Sequence, residues 1–128
     1  MTDKDLLTIR EMCDAFDVTP RTLRFYETKE LLAPLRSGAR RLYSRRDRAR
    51  LKLILRGKRF GFSLEDIRQS LELYDRDNAN AAQVERVRAL AADRLSAMKA
   101  QRDELTIAIE ELEAELANSA PRAQRATA

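Results

Sequence analysis

Along the first 75 residues, apolar positions recur at spacings of three and four, and four helix-start signals punctuate them. Thr8-Ile9-Arg10-Glu11, Ser44-Arg45-Arg46-Asp47 and Ser63-Leu64-Glu65-Asp66 each set a hydroxyl three residues ahead of an acid. The first matches the reciprocal capping box; the two Asp versions are shorter-armed and still favour the positive end of the helix dipole. Thr19-Pro20 is the fourth start, with proline at the first helical position, where its missing N–H costs nothing. The pattern predicts short helices over 9–16, 20–29, 45–59 and 64–74. Ile9, Met12, Cys13 and Phe16 share one face of the first helix and, with Val18 and Leu23, make a small core. Leu51, Ile54 and Leu55, then Leu64, Ile67 and Leu71, close it, with Gly61 in the turn between them.

Only Asp17-Val18 separates the first two helices, so they must cross steeply, which is helix-turn-helix spacing. Asp17 falls where a left-handed residue is often needed, and Asp tolerates that conformation better than most. Residues 31–43 break the helical period. Pro34 is followed by a Ser37-Gly38 turn, and Arg41 and Tyr43 alternate with Leu42, as a two-stranded ribbon requires. The reading is a wing packed beside the helix-turn-helix.

From Asn80 to Leu116 the texture changes to uninterrupted Ala, Glu, Arg, Leu and Gln without Gly or Pro. Val84, Ala91, Met98, Leu105 and Leu112 occupy one heptad position, and Arg88, Leu95, Arg102, Ile109 and Leu116 the partner position four residues on. A lone helix would expose that stripe, so a partner helix is needed, and a second copy of the chain is the simplest one. The two arginines should weaken the seam locally and select register or orientation. At ~1.5 Å rise per residue the helix spans roughly 55 Å. The tail from residue 119 has no apolar periodicity and is expected to be disordered. The domain plan is therefore mainly α: a winged helix-turn-helix over 1–75, a coiled-coil dimerisation helix over 80–118, and a tail over 119–128.

Composition narrows the function. With 128 residues, 36% of them charged, the chain has room for one small domain and an extended element, so a catalytic cleft of ordinary size is improbable. No nucleophile and base pair or glycine-rich phosphate loop stands out, and the expectation is a protein that is not an enzyme. One cysteine, Cys13, and no histidine exclude an internal disulfide and the usual Cys/His zinc clusters, so no metal or cofactor is expected. Cys13 reads most simply as a core residue. No apolar run is long enough to span a membrane and no leader pattern opens the chain, which points to the cytoplasm.

Charge is uneven. Residues 1–60 hold 16 Lys and Arg against 8 Asp and Glu, and residues 61–128 hold 9 against 13. Between Arg36 and Arg59, eleven basic residues face one acid, Asp47. Such clustering attracts phosphate, although a basic run alone is more often a solvated face than a binding surface. The stretch TPRTLRFYETKELL, Thr19 to Leu32, adds what charge cannot. Leu23 points to the core, while Arg21 and Arg24 share an outward face near the end of the second helix that enters the major groove in this motif. Arginine there pairs with guanine or grips phosphate, and the Tyr26 hydroxyl can donate to a phosphate oxygen while its ring packs on the domain.

These residues resemble the MerR family of bacterial transcription regulators. The likeness runs from about Leu7 to Leu73 and rests on TIREMCDAFDVTPRTLRFYETKELLAP, the wing end RRLYS and GKRFGFSLEDI, and it continues in the long helix as a pattern. It implies an antiparallel coiled-coil homodimer on a palindromic element of double-stranded DNA, distorting an overlong promoter spacer so that RNA polymerase can engage. It also implies contacts by Arg24 and Tyr26 of the recognition helix, by Arg41 and Tyr43 of the wing, and by Lys58, a phosphate-contacting position. Arg21 fits the base-facing position best on geometry. Phe25 stands where many members have a tyrosine, and Arg40 where the wing often carries an aromatic, so the wing is expected to grip backbone more and stack less. Residues 76–128 lack the Cys and His of metal-sensing and redox-sensing relatives, and the chain resembles a short form without a C-terminal effector domain. Two alternatives remain for the effector: a small organic molecule near Leu73, Tyr74 and Val84, or none. The sequence further resembles regulators of branched-chain amino-acid and fatty-acid breakdown. Two other classes compete with a promoter regulator. One is an excisionase-like architectural protein that bends DNA, and the other is a coiled-coil adaptor whose basic face binds acidic protein.

Overall fold

The computed structural model describes residues 5–75 and 80–127, with side-chain surroundings through Ser119. Residues 1–4, 76–79 and 128, including the ends of the expected winged domain and tail, lie outside the described residues. The elements are β1 (Leu7–Thr8), α1 (Ile9–Phe16), α2 (Pro20–Thr28), β2 (Leu35–Ser37), β3 (Arg40–Tyr43), α3 (Arg45–Phe60), α4 (Leu64–Asp75) and α5 (Ala81–Thr127). The chain divides into two compact units, Met1–Val87 and Arg88–Ala128.

Local chemistry starts and stops the helices where the sequence reading put them. Thr8 and Glu11 form a reciprocal capping box, and so do Ser44 and Asp47, whose shorter arm still reaches the Ser44 N–H at 3.2 Å. Thr19 Oγ1 accepts from the Thr22 N–H at 3.2 Å, with Pro20 at the first helical position. Asp17 closes α1 in the left-handed region at φ 54°, and Gly61 closes α3 at φ 85°. The glycines are not all turn residues, however. Gly57 is buried inside α3, and a Cβ there would lie 2.7 Å from Ile67 Cγ1, so its role is the close approach of α4.

The wing gains a third strand. The sheet order is β1-β3-β2, all antiparallel, with Leu7 opposite Tyr43 and Leu35 opposite Leu42. At two residues, β1 is too short for an alternation to reveal. Met12, Leu23, Leu31, Tyr43, Leu51, Ile54 and Leu71 are fully buried, so both helices of the motif, the wing and α3–α4 share one core. Cys13 packs half-buried against it, and burial, followed by the Asp14 charge, pushes its thiol above the usual range.

The same unit uses several α3 arginines internally. Asp75 bonds to Arg46 and Arg50, and Arg50 Nε also donates to the Leu31 carbonyl at 2.9 Å. Burial alone would raise the Asp75 carboxyl, but the Arg46 hydrogen bond and the charges of Arg50 and Arg46 hold it below its ordinary value. A folded-state pKa below the unfolded one stabilises the fold at neutral pH, and that contribution is lost as pH falls through the folded value. Asp75→Asn is therefore expected to cost about 1–2 kcal/mol at pH 7. In urea unfolding of both proteins across pH, the difference should narrow below pH about 4. A gap independent of pH would assign the loss to packing.

Helix α5 runs past residue 118 to Thr127, through the segment expected to be disordered. Extending an existing helix needs only one residue fixed per bond, and Ala, Arg and Gln carry little propensity cost within it. No side chain of α5 through Ser119 is buried. Leu95, Met98, Leu105, Ile109, Leu112 and Leu116 of the heptad stripe are between 38% and 63% exposed, and Val84 and Ala91 are exposed too.

Candidate nucleic-acid interface

Helix α2 is seated by Leu23 and Tyr26, at 0% and 5% exposure. Its opposite face carries Arg21, Arg24, Phe25 and Thr28, all exposed and spaced i, i+3, i+4 and i+7. Arg21 and Arg24 form no ion pair among the described residues, so their guanidinium groups are available to a ligand. Burial raises the Tyr26 phenol, consistent with a ring held in the domain.

The wing is a tight hairpin. Its two-residue loop starts at Gly38, whose φ of 63° favours glycine although nothing lies within 4 Å of an added Cβ. Arg40 is exposed at the start of β3. Arg41 and Tyr43 turn the other way. Arg41 Nε donates to Glu27 Oε1 at 2.9 Å, the Tyr43 hydroxyl donates to Glu27 Oε2 at 2.9 Å, and Arg36 Nη2 lies 3.6 Å from Oε1. Glu27 is only 11% exposed, so one α2 carboxylate collects two strands of the wing. Tyr43 is thus a core residue rather than an exposed wing contact. Burial, then the Glu27 hydrogen bond, drives its phenol far above the usual tyrosine range.

The basic run divides in the same manner. Arg45 pairs with Asp5, and Arg48 donates to the Asp5 carbonyl, besides the Arg46 and Arg50 contacts described above. Arg40, Lys52, Arg56, Lys58 and Arg59 form no ion pair among the described residues and are exposed. Asp47, the single acid of the run, is 4% exposed; besides its cap it accepts from the Ala33 N–H at 3.2 Å, fixing the segment between α2 and the wing. The structure therefore brings Arg21 and Arg24 together on one helix face and leaves Arg40 and Lys58 exposed. It withdraws Tyr43 and directs Arg41 to Glu27. Glu27 was legible only as an acid in a cationic neighbourhood, which by itself does not reveal its partners.

Two family models match the chain: MerR HTH family regulatory protein over residues 7–73, and MerR, DNA binding, over residues 48–114. The chain belongs to the MerR family. Its relatives there include the HTH-type transcriptional regulator ZntR of Escherichia coli, 40% identical over 67 residues, covering 51% of this chain and 48% of ZntR. The match thus spans about half of ZntR. HTH-type transcriptional regulator HmrR of Rhizobium leguminosarum bv. viciae is 34% identical over 102 residues, covering 78% of this chain and 76% of HmrR. Among solved MerR-family structures, HiNmlR, described as lacking the sensor domain and bound to promoter DNA, superposes with a TM-score of 0.68 at 26% identity. The match covers 88% of this chain and 84% of HiNmlR.

No group of three or more His, Cys, Asp or Glu among the described residues could hold a metal ion, and no described helix is long and apolar enough to cross a membrane. Of the residues expected around an effector, Leu73 lines a cavity of about 50 Å³ with Gln69, Glu72, Gln83, Arg86 and Val87. Tyr74 and Val84 do not line it. That volume is well below the ~300 Å³ of ordinary small-molecule pockets.

Proposed function

We propose that this MerR-family chain is a sequence-specific DNA-binding transcription regulator, not an enzyme, that acts in the cytoplasm as a homodimer on a palindromic promoter element. Arg21 and Arg24 enter the major groove, Arg40 of the wing and Lys58 of α3 grip the backbone, and the Tyr26 hydroxyl donates to a phosphate. Arg41 acts through Glu27, orienting the wing. The observation that carries this reading is the exposed Arg21/Arg24 face of α2 beside a wing clamped to the same helix by Glu27. A reading helix and a backbone grip in fixed relation are what a base-specific contact needs.

In the same proposal the two copies join through the heptad stripe of α5 in an antiparallel coiled coil. The dimer distorts an overlong promoter spacer so that RNA polymerase engages both of its recognition elements. An architectural DNA-bending protein would share the winged unit, but the long exposed apolar stripe favours a dimeric regulator. A footprint with two-fold symmetry inside one promoter separates the two readings; scattered, asymmetric protection would favour the architectural one.

Base reading and backbone grip should separate in mutants. Arg21→Ala or Arg24→Ala is expected to cost about 1–3 kcal/mol on the cognate site and to relax preference at one base pair. Lys58→Ala or Tyr26→Phe should weaken all sequences alike. The measurement is affinity for a panel of single-base variants at fixed salt, and uniform losses for both arginines would reassign them to phosphate.

A further inference from the structure

The reading face of α2 has an apolar centre that the arginines do not explain. Phe25 is 45% exposed, four residues after Arg21 and adjacent to Arg24. Its ring is not loose. The Tyr26 ring lies 5.7 Å away at 54°, and the Lys29 ammonium sits 5.6 Å from the ring centroid. Tyr26 is itself fixed in the core at 5% exposure. An aromatic side chain with two torsions, braced by a buried ring and by a cation, loses little freedom on binding and is pre-organised as a contact. Three positive charges flank it, Arg21, Arg24 and Lys29, so the surface it meets is anionic.

The face of B-DNA that offers an apolar feature within an anionic groove is the major groove at thymine, where the C5 methyl projects among the base edges. Phe25 lies in the second turn of α2, one turn on from Arg21 and on the same exposed face, which the proposed reading sets against the base edges. We infer that Phe25 is a specificity-determining residue that packs its exposed ring edge on a thymine methyl, adjacent to the base pairs addressed by Arg21 and Arg24. The inference rests on the proposed recognition role of α2 and adds to it a base class and an atom. Lys29, held over the ring, is then placed to meet the phosphate beside that thymine.

The test uses the full-length chain and a site selected by it from a random duplex pool. Each thymine of one half-site is replaced in turn by deoxyuridine, which deletes the methyl and keeps every hydrogen-bonding group. One replacement should weaken wild-type binding roughly three- to fivefold, the worth of one buried methyl group. That same replacement should have no effect on Phe25→Ala. Phe25→Leu, which keeps apolar surface, should retain part of the sensitivity, and circular dichroism checks that both variants fold. If wild type tolerates uracil everywhere, or if Phe25→Ala keeps the full sensitivity, the methyl contact is wrong while DNA recognition by α2 stands. If no specific site can be selected at all, the recognition reading falls first.

Discussion

Leu105→Asp is expected to make the chain monomeric and to lower its affinity for a two-fold site by roughly a hundredfold or more. Leu105 is 61% exposed near the middle of the α5 stripe, with Met98, Ile109 and Leu112 beside it on the same face. A charge at that position, buried between two helices, lacks a partner and is strongly destabilising to the pair. The winged unit keeps its own core, so half-site affinity should be unchanged. The large loss arises because two linked half-sites bind with an effective concentration that two separate units lack. Sedimentation across concentration, paired with titration of full and half sites, checks both parts. A Leu105→Asp protein that still sediments as a dimer would remove the coiled-coil assignment. Arg88 and Arg102 share the heptad stripe of α5, and Arg102 pairs with the neighbouring Asp103 at 3.3 Å.

Glu27→Ala should be the most damaging change in the winged unit outside the apolar core, at about 2–4 kcal/mol of stability. It leaves the buried Tyr43 hydroxyl without an acceptor and the Arg41 guanidinium, 25% exposed, without its counter-charge. Glu27→Gln restores an acceptor for one of them and should cost about half as much. Both variants should weaken DNA binding on every sequence alike, because they loosen the wing without touching Arg21 or Arg24, the proposed base contacts. Thermal unfolding and the single-base panel measure the two effects together. Tyr43→Phe discriminates further: a core role predicts a small stability loss and nearly unchanged affinity. If Tyr43→Phe binds tenfold more weakly while melting as wild type does, Tyr43 is a DNA contact and the wing must move on binding.

The helix starts, the Asp17 crossing, the hairpin turn and the heptad stripe were all readable along the chain. Each depends on groups within four residues of one another or on a periodicity, and local geometry is the same wherever the segment is placed. The exposed Arg21/Arg24 face of α2 was legible for the same reason, since these arginines and the buried Leu23 are separated by helical arithmetic alone. The reach of α5 to Thr127 has no apolar period to mark it, because extending an existing helix needs no buried face of its own. What only the tertiary structure decided is which side chains of the basic wing face the protein. Glu27 lies 14 residues from Arg41 and 16 from Tyr43, and their meeting depends on the register of β3 against β1 and β2 and on its approach to α2. The burial of Gly57 against Ile67 and the union of Arg50, Leu31 and Asp75 are of the same kind. No local pattern encodes such a contact, because an arginine aimed at a phosphate and one aimed at a buried carboxylate are identical in sequence and differ only in what the fold brings within 3 Å.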